Sequence, residues 1–527
     1  MEAFVTALLG DLASRSLSFL IDRCFKKENP TKEESMDNLH RLLLRVRVIV
    51  EVAGERHITN QAMLQQLNML NLELYRGCYT LDTLRCQGLL PCDDDDHHHH
   101  HHTAKDDGRQ VSRSFTLSRF NPAKRVLFSD TGARGSSNSS EGTNKLKKAL
   151  QSLETAIADV SECIVFLRTC PRMCRQPYNM HLILDKCMFG RQMELQHIIS
   201  FLLQTGSHCG DDEELGVLPI IGPRRVGKST LVEHACNDER VRDHFSQIVF
   251  FARNDIAVDE SVVSLRDRGV IKHRNYDLEG QRMLVIVELD GDRFSENPDE
   301  NTIEELWQRL YSTCKNCIPP DSKFIVTSQS NKIASFGTMH PLRLQFFSQE
   351  AYWYFFKVLT FGAMDTVEHK KLMSIAMDMA AMLNGCFIGA NIISGMLRSN
   401  INAQFWSMAL ATMREFTQRN HDVSSANHPD PWEVNGAIRT PKVSERIVIL
   451  DDYQMVGSAS ACGGTEVETP KITAIDVMFG RARPRGQFHV LSWRSQLPPH
   501  YSYVLKCELQ PRHVVARKKR TANFGSR

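Results

Sequence analysis

The sequence predicts a multidomain chain: an N-terminal all-α four-helix bundle, a central α/β domain with a helical subdomain, and a C-terminal region containing β-strands. Three observations carry this. Apolar residues recur at three- and four-residue steps through most of the first 170 positions. Between about 215 and 330, short apolar runs alternate with helical stretches, the pattern of a parallel sheet covered on both faces. Beyond about 440 the runs shorten and become β-like. A chain of 527 residues has room for about three domains with sizeable cores.

Composition narrows the function classes. Hydrophobic residues make up 42% and charged residues 24%, ordinary for a globular protein, and the formal net charge of +2 gives no general attraction to nucleic acid or anionic membranes. No uncharged apolar run approaches the length of a spanning helix, and Glu2 and Asp11 argue against a secretory signal. The 15 cysteines are scattered through the chain, which reads as reduced thiols in an intracellular protein.

The helices come in order. Phe4, Leu8, Leu9, Leu12, Leu17, Leu20 and Ile21 outline a broad apolar face over residues 4–25. A second helix follows Pro30, opened by the capping-box pattern of Thr31 to Glu34 and striped by Met36, Leu39, Leu43, Val46 and Val50. A third carries Met63, Leu67, Leu70, Leu74 and Leu81. Residues 88–143, with Asp93–Asp96, His97–His102 and a Ser/Arg/Gly-rich stretch, cannot build a core and read as a disordered loop; six adjacent histidines fix no coordination geometry. From Asn144, the series Leu146, Leu150, Leu153, Ile157, Val160, Ile164 and Leu167 predicts one unbroken helix that completes the bundle or pairs with a partner as a coiled coil.

Gly222-Pro223-Arg224-Arg225-Val226-Gly227-Lys228-Ser229 then matches G-x-x-x-x-G-K-[ST] at every fixed position. The strand-like Val217–Ile221 precedes it, and Thr230 opens its helical continuation through Ala235. The glycines let successive N–H groups turn toward phosphate oxygens, and the helix presents its positive end to the same anion. Lys228 would neutralise the outer phosphates and Ser229 would complete a Mg²⁺ shell. Ile248–Phe251, Met283–Val287 and Lys323–Thr327 read as further strands, with a helix over Thr302–Thr313. Residues 348–362 and 368–397 read as helices; Ile447–Leu450, Ile472–Val477, Phe488–Trp493 and Tyr503–Leu509 read as short β runs, followed by the basic tail Arg517–Arg520.

The series of segments resembles a plant intracellular immune receptor of the coiled-coil NLR class. Residues 1–170 resemble an Rx-type helical domain. Residues 185–335 resemble the nucleotide-binding part of an NB-ARC switch, and 336–415 its helical ARC-like subdomain; 416–527 have no counterpart. Phe189-Gly190-Arg191 stands where the family carries its adenine-side motif, Asp321–Gln329 resembles its G-S-K-I-I-V-T-T-R strand, Leu342–Gly362 its next motif, and 380–398 its G-L-P-L helix. The resemblance implies ADP or ATP as ligand, with Mg²⁺ held by Ser229 and Glu288. It also implies a cytoplasmic place in defence signalling; Arg517–Arg520 read either as a nuclear-import patch or, at least as well, as a solvated basic tail. Protein partners, self-association among them, would be reached through the helical domain, membrane contact would be conditional on activation, and no nucleic-acid partner is implied.

Departures from the family pattern shape the expected chemistry. The adjacent acidic pair after the third strand is reduced to Glu288 and Leu289, with Asp290 displaced by one residue. The arginine that senses the terminal phosphate is Gln329, and the G-L-P-L proline aligns with Phe387. No leucine-rich repeats or trustworthy M-H-D motif follow, and the acidic motif of the third helix shrinks to Cys78–Asp82. Binding with slow or absent hydrolysis is the expectation, and Glu288 the one candidate catalytic carboxylate; the alternatives are an active ATPase and a nucleotide-free scaffold or decoy. Ile447–Asp452 is a rival acidic strand end, but Asp451 lies 223 residues past Lys228 whereas Glu288 lies 60 past it, so an edge strand ending in a turn is the better reading. Cys314-Lys315-Asn316-Cys317 lacks the second pair that structural zinc requires.

Overall fold

The computed structural model describes residues 31–54, 56, 58–87, 137–172, 189–204, 215–252, 270–274, 282–289, 300–315, 318–319, 321–421, 437–439, 445–456, 470–478, 480–495 and 501–511. The expected first helix at 4–25, the loop from 88 to 136 with its histidine tract, Asp290, Cys317, Asp422 and the basic tail lie outside these residues.

Helices α1 (Lys32–Gly54) and α2 (Gln61–Cys86) pack on each other and on α3 (Ser137–Asp159). The capping box at the start of α1 is formed: Thr31 N–H donates to Glu34 Oε2 at 2.9 Å and Glu34 N–H to Thr31 Oγ1 at 3.2 Å. Helix α3 begins seven residues before the expected Asn144, taking in the Ser/Asn-rich end of the predicted loop. The predicted single helix through Leu167 is also broken: α4 (Ser161–Leu167) is separated from α3 by Val160, whose φ of −89° and ψ of 0° leave the helical region. Leu146, Leu153, Ile157, Val160, Ile164 and Leu167 are nonetheless buried on one stripe, because the break shifts direction without losing the apolar face.

The central unit is a six-stranded sheet in the order β3-β2-β4-β5-β1-β6. Its strands are β1 (Gly216–Ile221), β2 (Gln247–Ala252), β3 (Val270–Arg274), β4 (Met283–Glu288), β5 (Lys323–Ser328) and β6 (Leu342–Arg343). All neighbours are parallel except β3, an antiparallel edge strand that the sequence reading missed. The two-residue period places alternate side chains on opposite faces. Leu218, Ile220, Ile248, Leu284, Ile286 and Ile325 share a core with α5 (Gln192–Leu203), α6 (Lys228–Cys236) and α7 (Glu239–His244). Val217, Ile221, Val249, Val285, Val287, Phe324 and Val326 pack with Trp307 and Leu310 of α8 (Glu300–Lys315). Burial on both faces is why these strands read as unbroken apolar runs.

Four helices follow: α9 (Gln349–Phe361), α10 (Lys370–Leu383), α11 (Phe387–Ser399) and α12 (Ala403–His421). Ser348 caps α9 by accepting from Ala351 N–H at 3.3 Å. The helix predicted over 368–397 is split, because Asn384 and Gly385 take φ of 43° and 87° and end α10 in the left-handed region. Helix α12 runs past the expected boundary at 415. The C-terminal unit is an antiparallel sheet ordered β7 (Ala437–Arg439), β8 (Glu445–Val456), β10 (Tyr501–Pro511), β9 (Gln487–Arg494). Two expectations fail here. Ile472–Val477 forms no strand; α13 (Ala474–Met478) occupies it, opened by Thr473 and Asp476 in mutual hydrogen bonds. Ile447–Asp452 lies inside β8, paired with β10 and, at Ile447 and Val448, with β7 as well, and the strand continues to Val456 rather than ending there in a turn.

One hydrophobic core joins α1–α4 to α9–α12. A charge is buried in that seam. Asp82 of α2, 1% exposed, accepts from Trp353 Nε1 at 3.0 Å and from Lys357 Nζ at 2.8 and 3.0 Å, both on α9. Tyr75 packs on Tyr354 with ring centroids 5.0 Å apart, and Gln349 Nε2 donates to Tyr79 Oη at 3.1 Å. Removing one partner of a buried pair strands the other without its solvation. Asp82→Ala is therefore expected to destabilise the chain by about 3 kcal/mol, read as a lower urea midpoint. A coupling energy near zero between Asp82→Ala and Lys357→Ala in a double-mutant cycle would show that the seam does not depend on the pair.

Candidate functional site

Parallel register sets the site. Ile221 pairs with Ser328 and Thr327 with Glu288, so β1, β4 and β5 all end at one edge of the sheet. The glycine-rich loop leaves from Ile221, and the carboxyl edge of an open α/β sheet is where such folds take ligands. Gly222 N–H donates to Ser328 O at 3.1 Å, tying the loop to β5. A Cβ on Gly222 would meet Leu344 O at 2.9 Å and Val226 Cγ1 at 3.0 Å, so glycine is required there by space. Gly227 is required by conformation: its φ of 96° is one that side chains strain against, and it caps α6. Arg225 also takes a positive φ, 61°. Pro223 is exposed, Arg224 and Arg225 are half-buried, and Val226 is locked into the sheet core.

Lys228 opens α6 and is only 5% exposed; its Nζ donates to Gly222 O at 2.8 Å and Pro223 O at 3.0 Å. Its ammonium thus lies in the curl of the loop. Ser229 Oγ donates to Glu288 Oε1 at 3.0 Å, joining the end of β4 to the loop although β5 lies between their strands. Thr230 is half-buried one residue on. Leu289, where a second carboxylate was sought, is 1% exposed and packed under the sheet, its N–H bonded to Thr327 O at 3.0 Å. Gln329 follows directly after β5. Among the described residues no cluster of three His, Cys, Asp or Glu could hold a metal. A hard cation here would rely on Ser229, Glu288, water and phosphate oxygens.

The adenine-side expectation needs correction. Phe189 is 6% exposed with its ring among Tyr75, Phe347 and Phe355, centroids 5.4 Å from each. Its side chain belongs to the helical core and is not free to meet a base. Gly190, with φ of 64°, lies where a Cβ would come within 3.0 Å of the Phe347 ring. The Arg191 guanidinium donates to Glu194 at 2.8 Å and to the Gln345 carbonyl, and stacks 4.5 Å over Phe347. What this stretch offers a ligand is backbone at the start of α5.

Tyr501 was missed. It begins β10, 272 residues after Ser229, yet Ser229, Glu288 and Glu233 are among the groups that act on its hydroxyl. Burial, reinforced by Glu288, Tyr503 and Glu233, pushes the phenol well above its ordinary value against the opposing Ser229 bond, so it stays protonated. No periodicity or motif marks such a residue; a lone tyrosine in a β run reads as sheet packing.

No family model matches the chain. Among curated proteins, it is 25% identical to putative disease resistance protein RGA1 of Solanum bulbocastanum over 228 residues, 42% of this chain and 22% of that protein. Disease resistance protein RGA2 of the same species is 26% identical over 233 residues, 42% and 23% of the two chains. Putative disease resistance RPP13-like protein 1 of Arabidopsis thaliana is 21% identical over 420 residues, 78% of this chain and 37% of that one. The chain is thus similar to plant disease resistance proteins while matching between 22% and 37% of their length. Among solved structures, C. elegans PCH-2 overlaps 45% of this chain and 72% of its own at a TM-score of 0.30 and 11% identity, too loose to bear on the site.

Truncating Phe189 separates its packing from any ligand role. Phe189→Ala is expected to cost about 3 kcal/mol of stability, as for other buried aromatics, while changing ADP affinity less than about twofold, since its ring faces the helical core. A large affinity loss with unchanged stability would restore the ring to the ligand site.

Proposed function

We propose that this chain is a nucleotide-operated switch of the plant NLR type, acting in defence signalling, that binds ADP or ATP and hydrolyses it slowly or not at all. The observation that carries the reading is the cluster at the sheet's carboxyl edge: Lys228 inside the loop, and Ser229 bonded to Glu288. The similarity to plant disease resistance proteins supports it.

The residues fit a polyphosphate. The loop's two glycines leave no Cβ to obstruct a ligand at Gly222 or Gly227, and the Lys228 ammonium, satisfied here by two loop carbonyls, can exchange them for phosphate oxygens. Backbone N–H groups at the start of α6 point the same way. Ser229 and Glu288 would hold Mg²⁺, which would supply charge neutralisation across the phosphates. Hydrolysis needs more than that, because a water must be positioned and the developing charge stabilised. Leu289 puts a buried alkyl group where a second carboxylate would act, and Gln329 carries no charge to stabilise a leaving or transferring phosphate.

Coupling to the rest of the chain runs through α9. The extended segment just before it lines Gly222, and α9 itself grips α2 through Asp82, Trp353 and Lys357. A state with altered loop geometry would load that seam, and a nucleotide that prefers one state shifts the population toward it. In this reading residues 1–170 form an Rx-type four-helix bundle that meets protein partners, in the cytoplasm or nucleus.

Mass spectrometry of nucleotide released by heat from the purified chain tests the switch. ADP near one per chain is expected, and Lys228→Ala should emerge empty, with at least a hundredfold weaker ADP binding, because a buried cation facing phosphate is worth about 3 kcal/mol or more. Wild-type ATP turnover indistinguishable from that of Lys228→Ala fits a switch; clear turnover above it makes the chain an ATPase. An empty wild type that ignores added ADP and ATP leaves the scaffold reading.

A further inference from the structure

Alternation along the strands puts one hydroxyl where an apolar side chain would be expected. In β5, Phe324 and Val326 pack toward Trp307, so Ile325 and Thr327 face α5–α7. Glu288 faces the same way two residues after Ile286, and Ile220 two residues after Leu218. Parallel pairing makes Glu288, Thr327 and Ile220 neighbours in one row across β4, β5 and β1; the row before it is Ile286, Ile325 and Leu218, all apolar. The row that carries Glu288 and Thr327 is the one at the carboxyl edge, beside the glycine loop.

Thr327 is 2% exposed, and its Oγ1 meets no hydrogen-bond partner among the described residues. A buried hydroxyl in that condition costs stability, and a valine of the same shape would fill the space without the cost. Such a group points to a water or a ligand as its partner. Its place is firmly held: the Thr327 carbonyl accepts from Leu289 N–H at 3.0 Å, and the next carbonyl, that of Ser328, from Gly222 N–H at 3.1 Å. Thr327 and Glu288 leave backbones about 4.8 Å apart, a span that one water bridges between a hydroxyl and a carboxylate. Glu288 Oε1 already accepts from Ser229 Oγ at 3.0 Å, and a carboxylate has lone pairs enough to accept from a water as well. Ser229 and Glu288 supply only two oxygens to a hard cation; Mg²⁺ keeps several waters beside such ligands, and those waters are oriented by the polar groups they touch.

We propose that Thr327 is a positioning residue of the nucleotide site: its hydroxyl and the Glu288 carboxylate hold one water between them, and that water belongs to the shell of a divalent cation bound with the nucleotide. This rests on the reading of Lys228, Ser229 and Glu288 as a nucleotide site. The phosphates are gripped by the loop and Lys228, whereas Thr327 acts only through the cation's water. Its loss therefore weakens the help that Mg²⁺ gives to binding and leaves metal-free binding alone.

The test uses the full chain and a non-hydrolysable ATP analogue bearing a ribose-linked fluorophore, titrated in Mg²⁺ and in a chelator. Thr327→Val keeps the shape and removes the hydroxyl; Thr327→Ser keeps the hydroxyl. In Thr327→Val the factor by which Mg²⁺ strengthens binding should fall about threefold to tenfold, the weight of one hydrogen bond, with affinity in chelator within about twofold of wild type. Thr327→Ser should retain the wild-type Mg²⁺ factor. A purely structural hydroxyl would shift the two affinities together or neither, so the ratio reads the proposed role. An equal Mg²⁺ factor in wild type and Thr327→Val, or a wild type that binds the analogue no better with Mg²⁺ than without, overturns the role of Thr327 and leaves the nucleotide site standing. A wild type that binds neither the analogue nor labelled ADP overturns the site reading, and the role of Thr327 with it.

Discussion

The extended backbone from Leu342 to Phe347 ties the glycine loop to the helices around it. Leu342 and Arg343 pair with β1 and close the sheet's edge beside the glycine loop. Leu344 N–H donates to Ile221 O at 2.8 Å, and its carbonyl lies so near Gly222 that only glycine fits. The Gln345 carbonyl holds Arg191, Phe346 abuts Gly385, and Phe347 packs against Phe189, Gly190 and Phe387. Six consecutive residues thus connect phosphate loop, α5 and the α10–α11 turn. Because extended chain has no internal hydrogen bonds of its own, its position is dictated by these contacts. A shift at one of them must be absorbed by the others.

A second constraint governs how the helical parts meet. Apolar seams between helices tolerate sliding, but a carboxylate 1% exposed does not, since Asp82 must keep Trp353 and Lys357 in register. The ring cluster of Tyr75, Phe189, Phe347, Tyr354 and Phe387 surrounds the same seam. Registry bought by a buried charge would let a small change near the loop be felt as a choice between discrete packings rather than as a gradual drift.

Local signals carried much of the architecture. The capping box at Thr31 formed as its residues required, and the four parallel strands appeared where apolar runs stood, because burial on both faces leaves no polar alternation to obscure them. Sequence failed where short-range and long-range preferences disagree. Val160 looks like one more apolar stripe residue, Asn384-Gly385 sits inside a continuous helical period, and Ile472–Val477 reads as β until Thr473 and Asp476 cap a turn of helix. Strand β3, polar and on an edge, had no period to declare it.

For the site the division has a physical basis. The sequence by itself determined the glycine loop, Lys228 and Ser229, because phosphate cradling depends on residues adjacent in the chain and on backbone conformations only glycine adopts readily. It also placed Glu288, through the spacing of strand ends. Only the tertiary structure decided that Phe189 and Arg191 spend their side chains on packing and on Gln345, and that the Tyr501 phenol, 272 residues past Ser229, feels the charge of Glu288. Those outcomes depend on which elements come to lie side by side, and a contact between distant segments leaves no periodicity in either of them.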